Sequence, residues 1–196
     1  MEKLINKLES KWGSFKQEKN YLTQCELEFG DSKSNLNVLF NAIGIEEYNF
    51  AKKVLDCEFP LSLKKFYDKY NGLMLFSESL RIYGVEMNDK DLYCSYDIVE
   101  QNEFDDIKSY GSKFKDYIVF GCYSSCLFCF DKYDLEYLFV FDTNSQNIIH
   151  QFSNINDLLT YYVEYLFEEY DTNGKKINYD KQLEGLPISN LSLEII

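Results

Sequence analysis

The chain has 196 residues, 45% of them hydrophobic and 17% aromatic, enough apolar surface for one core and far too much for a solvating acidic tail. Its 33 acidic residues against 20 basic ones leave a formal charge of −13. That charge repels phosphate backbones and anionic lipid, so no direct nucleic-acid or membrane binding is expected and a basic protein partner is; the same charge would also serve plain solubility. No apolar run approaches the roughly 20 residues of a membrane-spanning helix, and the first residues give no basic lead into a long apolar stretch, so the expected compartment is the cytoplasm. The six cysteines sit inside apolar runs and read as free thiols acting as small hydrophobes, with no disulfides.

Leu4, Ile5, Leu8, Trp12 and Phe15 share one face of a helix predicted over residues 2–19. Cys25, Leu27 and Phe29 alternate with Glu26 and Glu28, the period of a half-buried strand. Gly30, Asp31, Ser32, Lys33 and Ser34 form the first clear loop, which sets residues 1–33 apart as an N-terminal extension of a main domain at 34–170, with a tail over 171–196. Leu36, Leu39, Phe40 and Ile43 recur at helical spacing and predict a short helix ending at Gly44; Tyr48, Ala51 and Leu55 predict a second over 46–56.

The chain is organised around residues 59–85. Pro60 suits a first helical turn, and Leu63, Phe66, Tyr67 and Tyr70 recur at i, i+3, i+4, i+7, so one side is a continuous apolar stripe. Asn71-Gly72 reads as the helix stop, with Gly72 in the left-handed conformation, and residues 73–76 as a buried strand followed by another at 80–85. After Val85 the chain turns polar through Glu86, Asp89 and Asp91, then acidic over 100–108, a segment predicted helical. This is the longest surface excursion of the domain, and loops on rigid scaffolds are where binding concentrates.

Residues 117–123, 126–130, 137–141 and 147–152 read as a meander, dense in Phe, Tyr, Val and Ile and separated by Asp-, Asn- and Ser-containing turns. Asn154 is placed to cap a long helix with Asp157 at its third position and Ile155, Leu158, Leu159, Tyr162 and Leu166 on its core face. Glu168, Glu169 and Asp171 at its end oppose the helix dipole, so that end has another use or frays. In the polar tail, Leu191, Leu193 and Ile195 alternate with Ser192 and Glu194 as in an edge strand.

Catalytic motifs are missing. Cys122, Cys126 and Cys129 with the lone His150 are the nearest thing to a zinc set, yet such a site needs about four converging ligands, and Cys126 and Cys129 point to opposite faces of one strand. A histidine–cysteine nucleophile pair lacks a glycine-rich elbow and an oxyanion donor; a strand histidine at a sheet surface is the expectation for His150. Glu169, Asp171, Asn173 and Gly174, with Ile177 and Asp180 beyond, resemble a calcium loop, but the isoleucine falls one place late and Asp180 stands where a long bidentate Glu is needed. A plain Asp-Thr-Asn-Gly turn accounts for the same residues. Asn190-Leu191-Ser192 matches a glycosylation sequon without a secretion signal. No catalytic residue, metal or cofactor is expected, and no enzyme.

The order of features, helix, Phe59-Pro60, helix, Asn71-Gly72, strand, Leu80-Arg81-Ile82-Tyr83-Gly84, a variable excursion, Tyr117-Ile118-Val119-Phe120-Gly121, Phe128-Cys129-Phe130-Asp131, residues 137–142 and a closing helix after Phe152-Ser153, resembles the SUKH superfamily over residues 34–170. That superfamily includes fungal cell-wall assembly regulators and many bacterial immunity proteins. The chain departs from it in having Phe59 where Leu more often precedes the proline, and Lys52 about where an acidic residue is common. The resemblance implies an α+β fold, a mainly antiparallel curved sheet with helices packed against it, and no catalytic residues. It also implies an immunity protein that binds and neutralises a cognate bacterial toxin, expected to be a nuclease, or alternatively a non-catalytic regulatory or scaffolding module. The expected contact surface is the acidic excursion: Glu86, Asp89, Asp91, Glu100, Glu103, Asp105 and Asp106, with Tyr93 and Tyr96 as aromatic anchors. The bland alternative is an ordinary solvated loop.

Overall fold

Each strand of the sheet pairs with the strand before it in sequence, which makes one open antiparallel meander. A computed structural model describes residues 1–29, 32–86, 96–104 and 107–177. Among these the strands are β1 (Lys16–Gln17), β2 (Tyr21–Phe29), β3 (Ser32–Asn41), β4 (Tyr70–Leu75), β5 (Leu80–Ile82), β6 (Tyr117–Tyr123), β7 (Cys126–Asp131), β8 (Leu138–Asp142) and β9 (Asn147–Phe152), with β1 and β9 at the edges. Register shifts in the β3–β4, β6–β7 and β8–β9 pairs bend the sheet. The helices are α1 (Glu2–Trp12), α2 (Ile45–Leu55), α3 (Leu61–Tyr67), α4 (Ile98–Phe104) and α5 (Ile155–Phe167). The fold is α+β with a curved antiparallel sheet, and no helix of the described residues is long and apolar enough to cross a membrane.

One cross-strand row runs Leu39, Leu73, Ile82, Gly121, Phe128, Val140, His150, and residues directly opposite one another share a face. α5 covers this face. Its Tyr162 ring packs 4.9 Å from that of Phe128 and 5.2 Å from that of Tyr123, while Phe59, just ahead of α3, meets Phe130 at 5.8 Å. Asn154 caps α5 through its side chain, which accepts from the Asp157 amide at 3.0 Å, and Ile155, Leu158, Leu159, Tyr162, Val163 and Leu166 are all buried.

Residues 36–43 are not a helix. Leu36 to Phe40 lie in β3, between β2 and β4, and all five are buried. A strand covered on both faces loses its alternation, and a short apolar run then imitates helical spacing. The polar Asn37 in this run is satisfied sideways: it donates to Gln24 Oε1 at 2.8 Å and accepts from the Phe76 amide at 3.0 Å.

α1 stops at Trp12 rather than near residue 19, because Gly13 turns the backbone to φ 79°. The Trp12 ring packs edge-on against Phe76 and Phe167, and its indole N–H donates to the Asp171 carbonyl at 2.8 Å. Lys11 donates to the Phe167 carbonyl at 2.5 Å, so α1 brings a cation to the C-terminus of α5. Glu169, whose charge opposes the helix dipole, is buried and ion-paired with Lys176 at 3.3 Å. Cations from two other segments answer the acids at that helix end.

α3 ends at Tyr67, and Asn71-Gly72 belongs to β4 rather than to a helix stop. Gly72 does have φ 90°, but its role is close approach: a Cβ there would stand 2.6 Å from the Ile82 carbonyl oxygen. Asn71 is fully buried; its side-chain amide donates to the Val85 carbonyl at 3.0 Å and accepts from the Val85 N–H at 2.7 Å. Asn71→Ala would orphan both Val85 groups and is expected to lower stability by about 1–3 kcal/mol. Urea unfolding measures this, and an unchanged midpoint would remove Asn71 from the account of the fold.

Candidate partner-binding surface

The acidic excursion leaves and rejoins the sheet through a hydrogen-bonded stem. Gly84 N–H donates to the Tyr96 carbonyl at 2.8 Å, and Ile98 N–H donates back to the Gly84 carbonyl at 2.7 Å, a parallel bridge between Gly84 and Asp97. The Asp97 carboxylate ties three amides together: Glu86 N–H at 3.2 Å from one side, and Val99 and Glu100 N–H at 3.3 and 3.4 Å from the first turn of α4. It therefore caps α4 and closes the stem in one residue.

α4 is held down on its sheet side by Ile98, fully buried, and by Asn102. The Asn102 amide donates to the Val119 carbonyl at 2.6 Å and accepts from the Val119 N–H at 2.9 Å, completing the edge of β6 as Asn71 completes that of Val85. Tyr96 lies half-buried at the foot of the stem, with the guanidinium of Arg81, the chain's one arginine, 4.5 Å from its ring centroid and the Tyr83 ring at 6.1 Å. Arg81 is itself fixed by the Glu78 carbonyl and carboxylate at 2.9 and 3.2 Å.

Of the expected contact residues, Glu86, Glu100 and Glu103 are exposed, and the amides of Glu86 and Glu100 meet on one carboxylate, with Glu103 on the next turn of α4. Tyr96 has a ring face occupied by Arg81. Asp89, Asp91, Tyr93, Asp105 and Asp106 lie outside the described residues. Asp97 and Asn102 hold the surface together without having been singled out in the sequence. Asp97 could have been, since Asp97-x-x-Glu100 before an apolar helix face is a capping-box pattern; Asn102 leaves no such local trace.

None of Glu86, Asp97, Glu100 and Glu103 is in an ion pair among the described residues, whereas Glu26, Glu58, Glu78, Glu164 and Glu169 each have a cationic partner. Among the described residues, the stem therefore carries exposed carboxylates outside any ion pair, with Arg81 at its foot engaged by Glu78.

The other candidate groups do not converge. Cys126 and Cys129 are buried in β7, and Cys122 is half-buried on β6 opposite Leu127. Burial pushes the Cys126 thiol up to about 11 and Cys129 higher still. Among the described residues, no three His, Cys, Asp or Glu side chains stand close enough to share a metal ion. His150 is buried against the Tyr161 and Phe152 rings at 5.3 and 6.1 Å rather than at an open sheet surface. Asp171 Oδ1 accepts from the amides of Asn173 and Lys175 at 2.8 and 2.9 Å, so the calcium-like residues form a self-satisfied turn; Asp180 lies outside the described residues. A cavity of about 720 Å³ beside that turn is lined by Glu26 and Glu28 on one wall and Lys175 and Lys176 on another.

No protein-family model matches the chain, and no curated protein matches it in sequence.

Two outcomes follow from this geometry. Asn102→Ala should cost about 1–2 kcal/mol and should speed amide exchange at Val119 and along α4 while leaving β8 unaffected; unaltered exchange at Val119 would show that the amide does not hold α4. Burial lowers the His150 pKa from its ordinary 6.5, so the unfolded chain takes up that proton first and folding stability falls as pH drops below 6.5 towards the folded-state value. His150→Phe should flatten that part of the curve, as read from urea midpoints on either side of pH 6.5.

Proposed function

We propose that the chain is an immunity protein: it neutralises a basic toxin domain, a bacterial nuclease by its resemblance to the SUKH superfamily, by binding it in the cytoplasm without catalysis. The observation that carries this reading is the carboxylate set Glu86, Asp97, Glu100 and Glu103, none of them ion-paired among the described residues, on a stem clamped to the sheet. A nuclease presents a cationic cleft to its substrate. Carboxylates fixed in place attract that cleft without first losing side-chain partners, raising the rate of encounter within a screening length of about 8 Å at physiological salt. Charge alone does not give tight inhibition; a desolvated aromatic centre does, and Tyr96 at the foot of the stem is the described residue best placed for it. No proton transfer or covalent step is needed.

Co-expression with the toxin encoded beside this gene should restore growth, and failure of both rescue and complex formation would overturn the reading. A pull-down that returned a housekeeping protein instead would make the chain a regulatory or scaffolding module. Within a working pair, the triple reversal Glu86→Lys, Glu100→Lys, Glu103→Lys should slow association about 10- to 100-fold and weaken its salt dependence. Stopped-flow association across salt concentrations reads this, and an unchanged rate would move the contact elsewhere on the molecule.

A further inference from the structure

The two edges of the sheet are built differently. At one, β1 is two residues long and fully exposed, and carries Lys16. β2 behind it is kinked where Cys25 has φ 56°, and is charged by Glu26, bonded to Lys33 at 2.7 Å, and by Glu28. Short length, a kink and charge are the means by which edge strands avoid pairing with other chains. At the other edge, β9 runs six residues, Asn147-Ile148-Ile149-His150-Gln151-Phe152, without an acid, a lysine or a proline.

Among the described residues β9 has a strand neighbour on one side only, β8. An edge strand turns about half of its peptide N–H and C=O groups away from its neighbour. Among the described residues no loop, cap or turn hydrogen bond reaches the β9 backbone from the other side. The strand is also held in place from behind. Tyr161 of α5 packs 5.3 Å from His150 and 5.6 Å from Phe152, so the edge is formed before any partner arrives. The register shift beside Val140 and Phe141 curls β9 near Ile149, which leaves short runs on either side of that residue for pairing.

We propose that the outer edge of β9 is a dimerisation surface, at which a second copy of this chain adds its own β9 antiparallel about a two-fold axis. The charge distribution selects this occupant. A basic partner segment would find no carboxylate on β9, whereas a second copy meets an uncharged strand with an uncharged strand, at a place where a chain of net charge −13 brings no like charges face to face. Antiparallel pairing of one strand with itself is isologous and closes after two copies, so it uses up the exposed edge without leading to fibres. β7 and β8 lie between β9 and β6, the strand to which Asn102 ties α4, so a dimer would leave both acidic stems free. The inference is independent of what those stems bind.

The test is the mass in solution of the full chain and of two charge variants, Ile149→Lys/Gln151→Lys and Ile149→Glu/Gln151→Glu, by sedimentation or light scattering. The wild type should show twice 23.2 kDa, each variant alone 23.2 kDa with an unchanged circular dichroism spectrum, and an equimolar mixture of the variants should return to twice 23.2 kDa, because opposite charges then face each other across the axis. A wild-type mass of one chain would overturn the proposal, and if the β9 amides of that monomer were protected from exchange, the edge would belong to another part of the same chain. Variants that stay dimeric, or folded variants that do not recombine, would also overturn it by placing the interface elsewhere.

Discussion

A meander has to satisfy every interior peptide group with the strand next in sequence, and here the shortest interior strand cannot do so. β5 has three residues, so the ladder between β4 and β6 runs out at Ile82, just where Val85 and Val119 still need partners. Two carboxamides supply them. Asn71 gives Val85 both a donor and an acceptor, and Asn102 does the same for Val119. The primary amide is the side chain that fits, since it carries a donor and an acceptor on neighbouring atoms as a peptide group does; an ionised aspartate only accepts and a leucine does neither. A buried peptide left unpaired costs about 1–3 kcal/mol, so these positions tolerate little else.

With the gap patched, the chain can leave the sheet at Glu86 and return at Tyr96 without fraying the strands on either side. Apart from Asp97, which caps α4, the acids on this stem are exposed side chains with no ion pair among the described residues. Some carboxylates elsewhere are paired, the buried Glu169 with Lys176 and the more exposed Glu78 with Arg81, and an exposed pair such as the latter contributes at most about 1 kcal/mol. At the stem Glu86, Glu100 and Glu103 are exposed on a backbone clamped by Asp97, so their charge bears on the local field more than on stability.

The same physics explains what could be read from the sequence. Residues 117–152 and α5 are legible because each strand is bounded by turn chemistry and the helix opens on Asn154, all local signals. Residues 36–40 were illegible because β3 is central: Asn37 is buried as fully as its apolar neighbours, its amide answered by Gln24 of β2 and by Phe76 in the turn after β4, so no alternation survives to be read. Asn71-Gly72 has the composition of a helix stop but serves a close strand contact, which depends on residues ten or more positions away. For the candidate site, the acids and the Asp97 cap were in plain view, while Asn102 acquires its role only when β6 arrives beneath it.

The interior ionisable groups bear on chemistry as well as packing. A nucleophile or general base is made by moving a pKa towards neutrality, with a cation or helix N-terminus for a thiol and a carboxylate for a histidine. Here burial moves the groups the other way: the Cys57 and Cys126 thiols rise to about 11, the Tyr117 phenol to about 12, Tyr162 higher still, and His150 falls. Each is held in its neutral form, as a core holds it. The shifts of these five groups are therefore those of packed core side chains, and none of the five is activated as a nucleophile or base.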